Sequence, residues 1–440
     1  MIKNQGFMKY LKNTSWLISE KVIRIISTIL VGVWVVRYLG PSDYGLLKYA
    51  QSYVALFAVL STFGVDSIVI RELVKDNSKR DKLIGTVFCI KLIGAFLVLV
   101  ILAIAIYFTS NNPLTNSIVF IIASSTIFQS FNIVDLYFQS KVMGKYVAYS
   151  NMISLLLISF SKIGLILYEA PIIAFAWIVL FESFILAMGL IYFYIKTSST
   201  FYIKNYKFNK KIAISLLKDS WPLFLSAIVV TVYMKIDQVM IKEMLNVDAV
   251  GQYAAAVNLS EAWYFIPIAI VASVFPAIIN AKKKSEELYY TRIQKLYNLM
   301  VFLALVVALP MTFLSDWIVA LLYGVEYSQS GSILMIHTWA GVFVFLGVAS
   351  AQWFVVENLL MLSFWRTFSG MVANIGFNYI LIPKYGGIGA AYATIIAQSI
   401  ASFFYDIFHK DTRIMFKMKL KALNIYMTIK SLKSFKIEKF

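Results

Sequence analysis

From Ser15 to Val36 the chain runs through 22 residues that are apolar at most positions. At 1.5 Å per residue such a helix reaches about 33 Å, enough to cross the roughly 30 Å hydrocarbon core of a bilayer. Within it stand Glu20, Lys21 and Arg24. A charge inside a spanning helix costs at least about 2.5 kcal/mol, so it persists where it faces water, a partner or a ligand. A polar turn, RYLGPSDYG (Arg37 to Gly45), follows, and a second apolar stretch returns from Tyr44 to Ile70 past Asp66. A spanning hairpin with an ionised inner face is thus the first unit of the chain. The remainder has the same character: 60% of the 440 residues are hydrophobic and 14% charged, with a mean hydropathy of +0.77. A soluble domain has no interior for that much apolar surface, whereas lipid solvates the outside of a helical bundle. The expected class is an all-α polytopic membrane protein.

Twelve apolar stretches are expected as spans, near 15–36, 44–70, 84–108, 116–138, 146–168, 172–195, 217–241, 251–279, 297–314, 331–355, 364–382 and 388–408. Of the 40 Lys and Arg residues, 31 fall before the first stretch, in every second loop after it or at the span edges bordering such a loop, or in the tail from Lys410. Only Arg37, Lys48, Lys242 and Lys384 fall on the other side. This asymmetry is the positive-inside pattern and predicts both termini in the cytoplasm. The net charge of +18 then reads as a topology signal and an affinity for anionic lipid headgroups, and nucleic acid is not an expected partner. The N-terminal lysines Lys3, Lys9 and Lys12 imitate a signal peptide, but the run after them is too long and is charged inside, so it is read as a retained helix. The largest loop is basic and aromatic and falls at the middle of the span count. The expected organisation is therefore a six-helix lobe over 1–196, a cytoplasmic linker over 197–216, a second six-helix lobe over 217–408 and a basic cytoplasmic tail over 409–440.

A weak internal repeat accompanies this division. Leu39 precedes Gly45 by six, followed by Tyr49 and Ala50; Leu245 precedes Gly251 by six, followed by Tyr253 and Ala254. A related phrase, KYGGIGAAYA, runs from Lys384 to Ala393. Duplicated hairpins are expected, with the glycines allowing tight reversals.

The chemistry-bearing residues are the charges inside the spans. Glu20 and Arg24 are four apart and share a helix face. Either they form an ion pair that only stabilises the helix, or Arg24 lines a polar cavity and takes an anionic group with Glu20 setting its rotamer. Arginine suits phosphate because its fork donates two parallel charge-assisted hydrogen bonds. Lys91 lies too deep for easy snorkelling and is read as a cavity cation. Lys21, Lys162 and Lys235 complete the cationic set, although Lys162 and Lys235 stand near outer span ends where snorkelling serves as well. Lys235 and Asp237 also stand close enough in sequence to neutralise one another. Among the acids, Glu261 stands deep in its span ahead of Pro267 and Pro276, which makes it the leading carboxylate for proton or cation coupling. Glu20, Asp66 and Asp237 are the others. Asp66, Asp135, Glu182 and Asp406 approach span ends, where a solvated carboxylate is the default. His337 reads as a packed imidazole. No metal-spaced His/Cys cluster and no Walker A sequence occurs, and no outward loop is long enough for a catalytic domain, so neither a metal, a cofactor, an ATP-driven pump nor an enzyme is expected.

Several stretches resemble a known family. The opening NTSWLISEKVIRIISTILVGVWVVRYLGPSDYGLLKYAQSYV, continuing to Leu73, is similar to the polysaccharide-unit flippases of the O-antigen, Wzx type. These belong to the multidrug/oligosaccharidyl-lipid/polysaccharide exporter superfamily, which is MATE-like. DQVMIKEMLNVDAVGQYAAAVNLSEAWYFIPIAIVASVFPAI (Asp237 to Ile278) and LLYGVEYSQSG (Leu321 to Gly331) carry the same resemblance. It implies a two-lobed, V-shaped transporter of twelve helices in the bacterial cytoplasmic membrane. Its implied substrate is an undecaprenyl-diphosphate-linked oligosaccharide, moved from the cytoplasmic to the outer leaflet by alternating access. It further implies a cationic central cavity, for which Arg24 and Lys91 are suited, function as a monomer, and a glycan polymerase and chain-length proteins as partners. The rival readings are a multidrug antiporter of the same superfamily, which would want an acidic cavity; a lipid II flippase, which usually carries further helices; and a membrane glycan polymerase, which would need a large outward loop.

Overall fold

The computed structural model describes residues 2–109, 112–197 and 207–424; the side chains of 2–12, 14, 17, 18, 29 and 77 are not among those described. The side chains of Lys3, Lys9 and Lys12, the middle of the expected linker and the end of the expected tail therefore lie outside the described residues. Among the described residues there are only helices, no strands. In chain order they are α1 (Ile2–Thr62), α2 (Asp66–Lys75), α3 (Arg80–Tyr107), α4 (Pro113–Gln129), α5 (Ile133–Ser140), α6 (Gly144–Leu167), α7 (Ile172–Thr197) and α8 (Lys210–Met244). There follow α9 (Val247–Glu261), α10 (Phe265–Lys284), α11 (Glu286–Tyr323), α12 (Ser328–His337), α13 (Ala340–Val356), α14 (Leu360–Ser402) and α15 (Arg413–Leu423). They form two compact units. The first comprises Met1–Leu39 and Leu46–Thr231, the second Gly40–Gly45 and Val232–Phe440.

Among the described residues nine helices are long and apolar enough to cross a membrane, or ten when the pair Val325–His337 and Ala340–Val356, bent by 47°, is one broken span. The twelve stretches read from the sequence map onto these because two helices hold two stretches each. The segment Ser19–Lys75 has 57 residues, about 86 Å if straight, and Leu360–Ile407 has 48, about 72 Å; either far exceeds a bilayer. Each is interrupted by a glycine in the left-handed region: Gly40 at φ 66° and Gly386 at φ 61°. Beyond Gly386 the chain doubles back so closely that a Cβ on Gly389 would stand 2.2 Å from the Leu381 carbonyl oxygen.

Sequence chemistry sets the other ends. Asn112 caps α4, accepting from the Thr115 amide at 2.8 Å, with Pro113 at the first helical position. Asn246 caps α9 through the Ala249 amide, and Ser285 caps α11 ahead of Glu286 and Glu287, whose charges suit a helix N-terminus.

Of the repeated phrases, the third reverses the chain as expected, at Gly386, whereas the glycines of the first two play a different part. Gly45 and Gly251 do not reverse the chain. They are helical residues of the second unit at which two backbones touch. A Cβ on Gly45 would stand 1.8 Å from the Val247 carbonyl oxygen, and one on Gly251 1.9 Å from that of Pro41. Only the absence of a side chain permits such contact. Gly251→Ala is therefore expected to lower the melting temperature of the purified protein markedly, because backbone must move to admit a methyl group. Gly376→Ala, where nothing lies within 4 Å, should leave it unchanged or slightly raised.

Each unit has its own core. In the first, Val65, Ile68, Leu73, Val87, Phe138 and Tyr194 pack together; in the second, Tyr297, Met300, Phe345, Phe354, Met415 and Met418 do. Large apolar side chains such as Leu30, Phe160, Phe313 and Trp317 stand exposed, as lipid-facing residues do. The chain is a multi-pass membrane protein.

The basic tail is not simply solvated. Its first part folds as α15, and Lys419 is fully buried in the second unit. The Lys419 Nζ donates to Asp406 Oδ2 and to the Ser402 carbonyl, each at 2.7 Å. Asp406, expected as a solvated carboxylate at a span end, is fully buried as well; this corrects that reading, because the ammonium it pairs with arrives from 13 residues further on. Asp406→Ala would leave a buried ammonium unpaired, a loss of about 3–5 kcal/mol. The expected result is release of α15, read as new protease cleavage between Lys410 and Lys421. An Asp406→Leu/Lys419→Met pair should restore most of the protection.

Candidate charged sites and a polar cavity

The first unit holds most of the residues singled out by their charge. On α1, Glu20 and Arg24 pair as their spacing requires: Arg24 Nε donates to Glu20 Oε1 at 2.8 Å and Nη2 stands 2.7 Å from the same oxygen. The Glu20 side chain is 5% exposed and that of Arg24 40%, so the carboxylate is the anchored partner and the guanidinium the reachable one. Lys21, one residue round the helix from Glu20, is exposed. Lys162 on α6 is half-buried.

Lys91 on α3 is buried, and its Nζ lies 2.6 Å from Asp66 Oδ1 at the N-terminus of α2. Asp66, expected as a solvated end-of-span acid, is therefore engaged, and the helix N-terminus adds to the stabilisation of its negative charge. Asp135 on α5 accepts from Gln139 at 3.1 Å and lies within electrostatic reach of both Lys91 and Asp66. Arg24 and Lys91 thus each hold a separate carboxylate.

The first unit also contains an open cavity of about 480 Å³. Its polar lining consists of Gln51 and Thr62 on α1, Ser125, Thr126 and Gln129 on α4 and Thr231 on α8. Valine, alanine and isoleucine side chains form the rest. Among the described residues no charged residue lines it, and none of the cations chosen from the sequence is among its walls. Sequence reasoning followed charge and so passed it by. The available signal was Ser125, Thr126 and Gln129 clustered within one apolar span.

The second unit holds Lys235, Asp237 and Glu261. Asp237 on α8 is buried, and its partners come from two further helices. Tyr253 Oη on α9 donates to Oδ2 at 2.7 Å; from α14, Thr394 Oγ1 donates to the same oxygen at 2.9 Å and Asn378 Nδ2 to Oδ1 at 2.6 Å. Asn378 Nδ2 also reaches Asn374 Oδ1 at 3.2 Å. Asn374 and Asn378 lie before Gly386 and Thr394 after it, so the break at that glycine assembles the cage. Lys235 is half-buried and does not neutralise Asp237, as its sequence neighbourhood suggested. Among the described residues no Lys or Arg stands within ion-pair distance of Asp237, and its stabilisation comes from neutral donors. A buried carboxylate held this way is a place where one proton or one monovalent cation changes the local charge balance completely. Asn378 Oδ1 is a further buried oxygen with no hydrogen-bond partner among the described residues. Glu261, at the end of α9, is half-buried. His337 is packed against Ser260, 2.9 Å from its hydroxyl.

Comparison with known proteins adds to this geometry. The model of the family described as polysaccharide biosynthesis protein matches residues 10–282. The chain is 20% identical over 413 residues to the capsular polysaccharide biosynthesis protein CapF of Staphylococcus aureus, covering 91% of this chain and 99% of that one. Among solved structures it resembles the lipid II flippase MurJ in an inward closed conformation, with a TM-score of 0.68 and 19% identity, covering 96% of this chain and 93% of the other. It also resembles an inward-facing multidrug resistance transporter of the MATE family in the MOP superfamily, with a TM-score of 0.66 and 14% identity, covering 94% and 96%. The fold is therefore the one shared by MATE transporters and MurJ. These neighbours are named as a flippase and as a multidrug resistance transporter.

Proposed function

The chain belongs to the polysaccharide biosynthesis protein family, and we propose that it is a flippase for an undecaprenyl-diphosphate-linked oligosaccharide, an O-antigen or capsular repeat unit. The observation that carries this reading is the conjunction of that family with the MATE and MurJ fold. In the proposal the protein resides in the bacterial cytoplasmic membrane with both termini in the cytoplasm, as the Lys and Arg distribution supports. It moves the head group outward by alternating access.

A diphosphate with sugars cannot cross hydrocarbon unaided, since every polar group would lose its hydrogen bonds to water. The polyprenyl tail need not leave the lipid. The anionic head would be received by Arg24, whose part-exposed guanidinium exchanges Glu20 for phosphate; Lys21, Lys91, Lys162 and Lys235 are the further cations of the proposal. Coupling is assigned to Asp237 ahead of Glu261, Glu20 and Asp66, because Asp237 is buried among neutral donors and is the group whose charge a proton or cation would cancel. Glycan polymerase and chain-length proteins remain the proposed partners downstream.

The test is deletion in the host. Loss of surface glycan, with accumulation of the lipid-linked unit on the cytoplasmic side and restoration by the plasmid-borne chain, is expected. Normal glycan display without the chain, or a defect in assembling the lipid-linked unit itself, would contradict the proposal.

A further inference from the structure

We infer that the neutral cavity of the first unit receives the sugar portion of the cargo and selects which glycan is carried; this deepens the flippase reading and rests on it. The cavity's volume, about 480 Å³, falls within the roughly 300–1,000 Å³ usual for small-molecule sites. Its walls are of two kinds. Val54, Val59, Ile122 and Val179 offer apolar surface, while Gln51, Gln129 and Thr231 bring amides and a hydroxyl. Among the described residues the Gln51 amide and the Thr231 hydroxyl make no hydrogen bond within the protein, and the Gln129 amide makes one long one, 3.5 Å to Ser125 Oγ. Unused donors and acceptors at a cavity wall are what a polar ligand needs.

The absence of charge narrows the ligand class. A diphosphate would find no cation among the lining residues, and a cationic drug would find no carboxylate. A sugar ring matches both kinds of wall, with C–H faces for the aliphatic side and hydroxyls for the amides. A site built to hydrogen-bond hydroxyl groups rejects a ligand lacking them strongly, because its own polar groups are then left unpaired. The diphosphate and the sugars are thereby handled by different residues, the first by the guanidinium and ammonium groups, the second by neutral amides and hydroxyls.

The experiment compares two lipids on the purified full-length chain in nanodiscs. One is the undecaprenyl-diphosphate-linked oligosaccharide that accumulates in the host when the chain is deleted. The other is bare undecaprenyl diphosphate. The glycan-bearing lipid is expected to bind at least about ten-fold tighter, the equivalent of one or two net hydrogen bonds. In Gln51→Leu/Gln129→Leu that ratio should fall to about two-fold. Thr231→Val, nearly isosteric, guards against a folding artefact and should lower the ratio about three-fold at an unchanged melting temperature. An unchanged ratio in folded variants, or no glycan preference in the wild type that nevertheless binds both lipids, would overturn the inference and leave the flippase reading standing. Binding of neither lipid by the wild type would overturn both.

Discussion

Arg24→Ala is expected to abolish surface glycan while the protein still inserts in the membrane at normal abundance. Arg24 is the reachable half of a pair whose other half, Glu20, is held inside the first unit. Two of the five guanidinium donors are committed to Glu20 Oε1, which leaves donors for an incoming phosphate. Two charge-assisted hydrogen bonds of roughly 1.5–3 kcal/mol each amount to a hundred-fold or greater loss of affinity when removed. Arg24→Lys keeps the charge and loses the fork, so it should retain partial display. Lys21→Ala, at an exposed neighbouring position, should be far milder. Glycan blotting normalised to membrane-inserted protein is the measurement. Wild-type display by Arg24→Ala would remove that residue from the mechanism and return the Glu20–Arg24 pair to the role of a structural ion pair.

The second large effect is expected at Asp237. Asp237→Asn keeps the side chain's size and still accepts hydrogen bonds from Tyr253 and Thr394, but it removes the charge. Transport in proteoliposomes should then become slow and indifferent to an imposed sodium or proton gradient, where the wild type responds to one of them. Glu261→Gln should keep the gradient response. If instead Glu261→Gln loses the response and Asp237→Asn keeps it, the carboxylate chosen from the sequence is the coupling group and the buried cage has a structural role.

Local spacing made part of this architecture readable in the amino-acid order. Glu20 and Arg24 had to meet because they are one helical turn apart, and the apolar stretches had to be helices because lipid satisfies no backbone groups. What stayed hidden depends on contacts distant in the chain. The partners of Asp237 lie 16, 141 and 157 residues away, so proximity to Lys235 pointed to the wrong neighbour. Lys91 was legible as a buried cation, yet its carboxylate, Asp66, sits on another helix. The repeated glycines were visible as a pattern, but a pattern does not distinguish a turn from a backbone contact; the carbonyl of Val247 against Gly45 does. Lys419 counted as one more topology charge because the burial of Asp406 beside it is a tertiary fact. The neutral cavity left the faintest trace, since hydroxyls and amides in apolar helices commonly bond to their own backbone, as Thr62 and Thr126 do here.

The central claim is that this chain alone carries a lipid-linked oligosaccharide across a bilayer. The most direct measurement is the accessibility of that lipid to an impermeant sugar-oxidising or sugar-binding reagent in sealed proteoliposomes containing only the purified protein. Lipid loaded in the inner leaflet is predicted to become reactive from outside at a rate that rises with protein content and falls to the protein-free rate in Arg24→Ala. Inner-leaflet lipid that stays protected at every protein density, under either a sodium or a proton gradient, would contradict the claim.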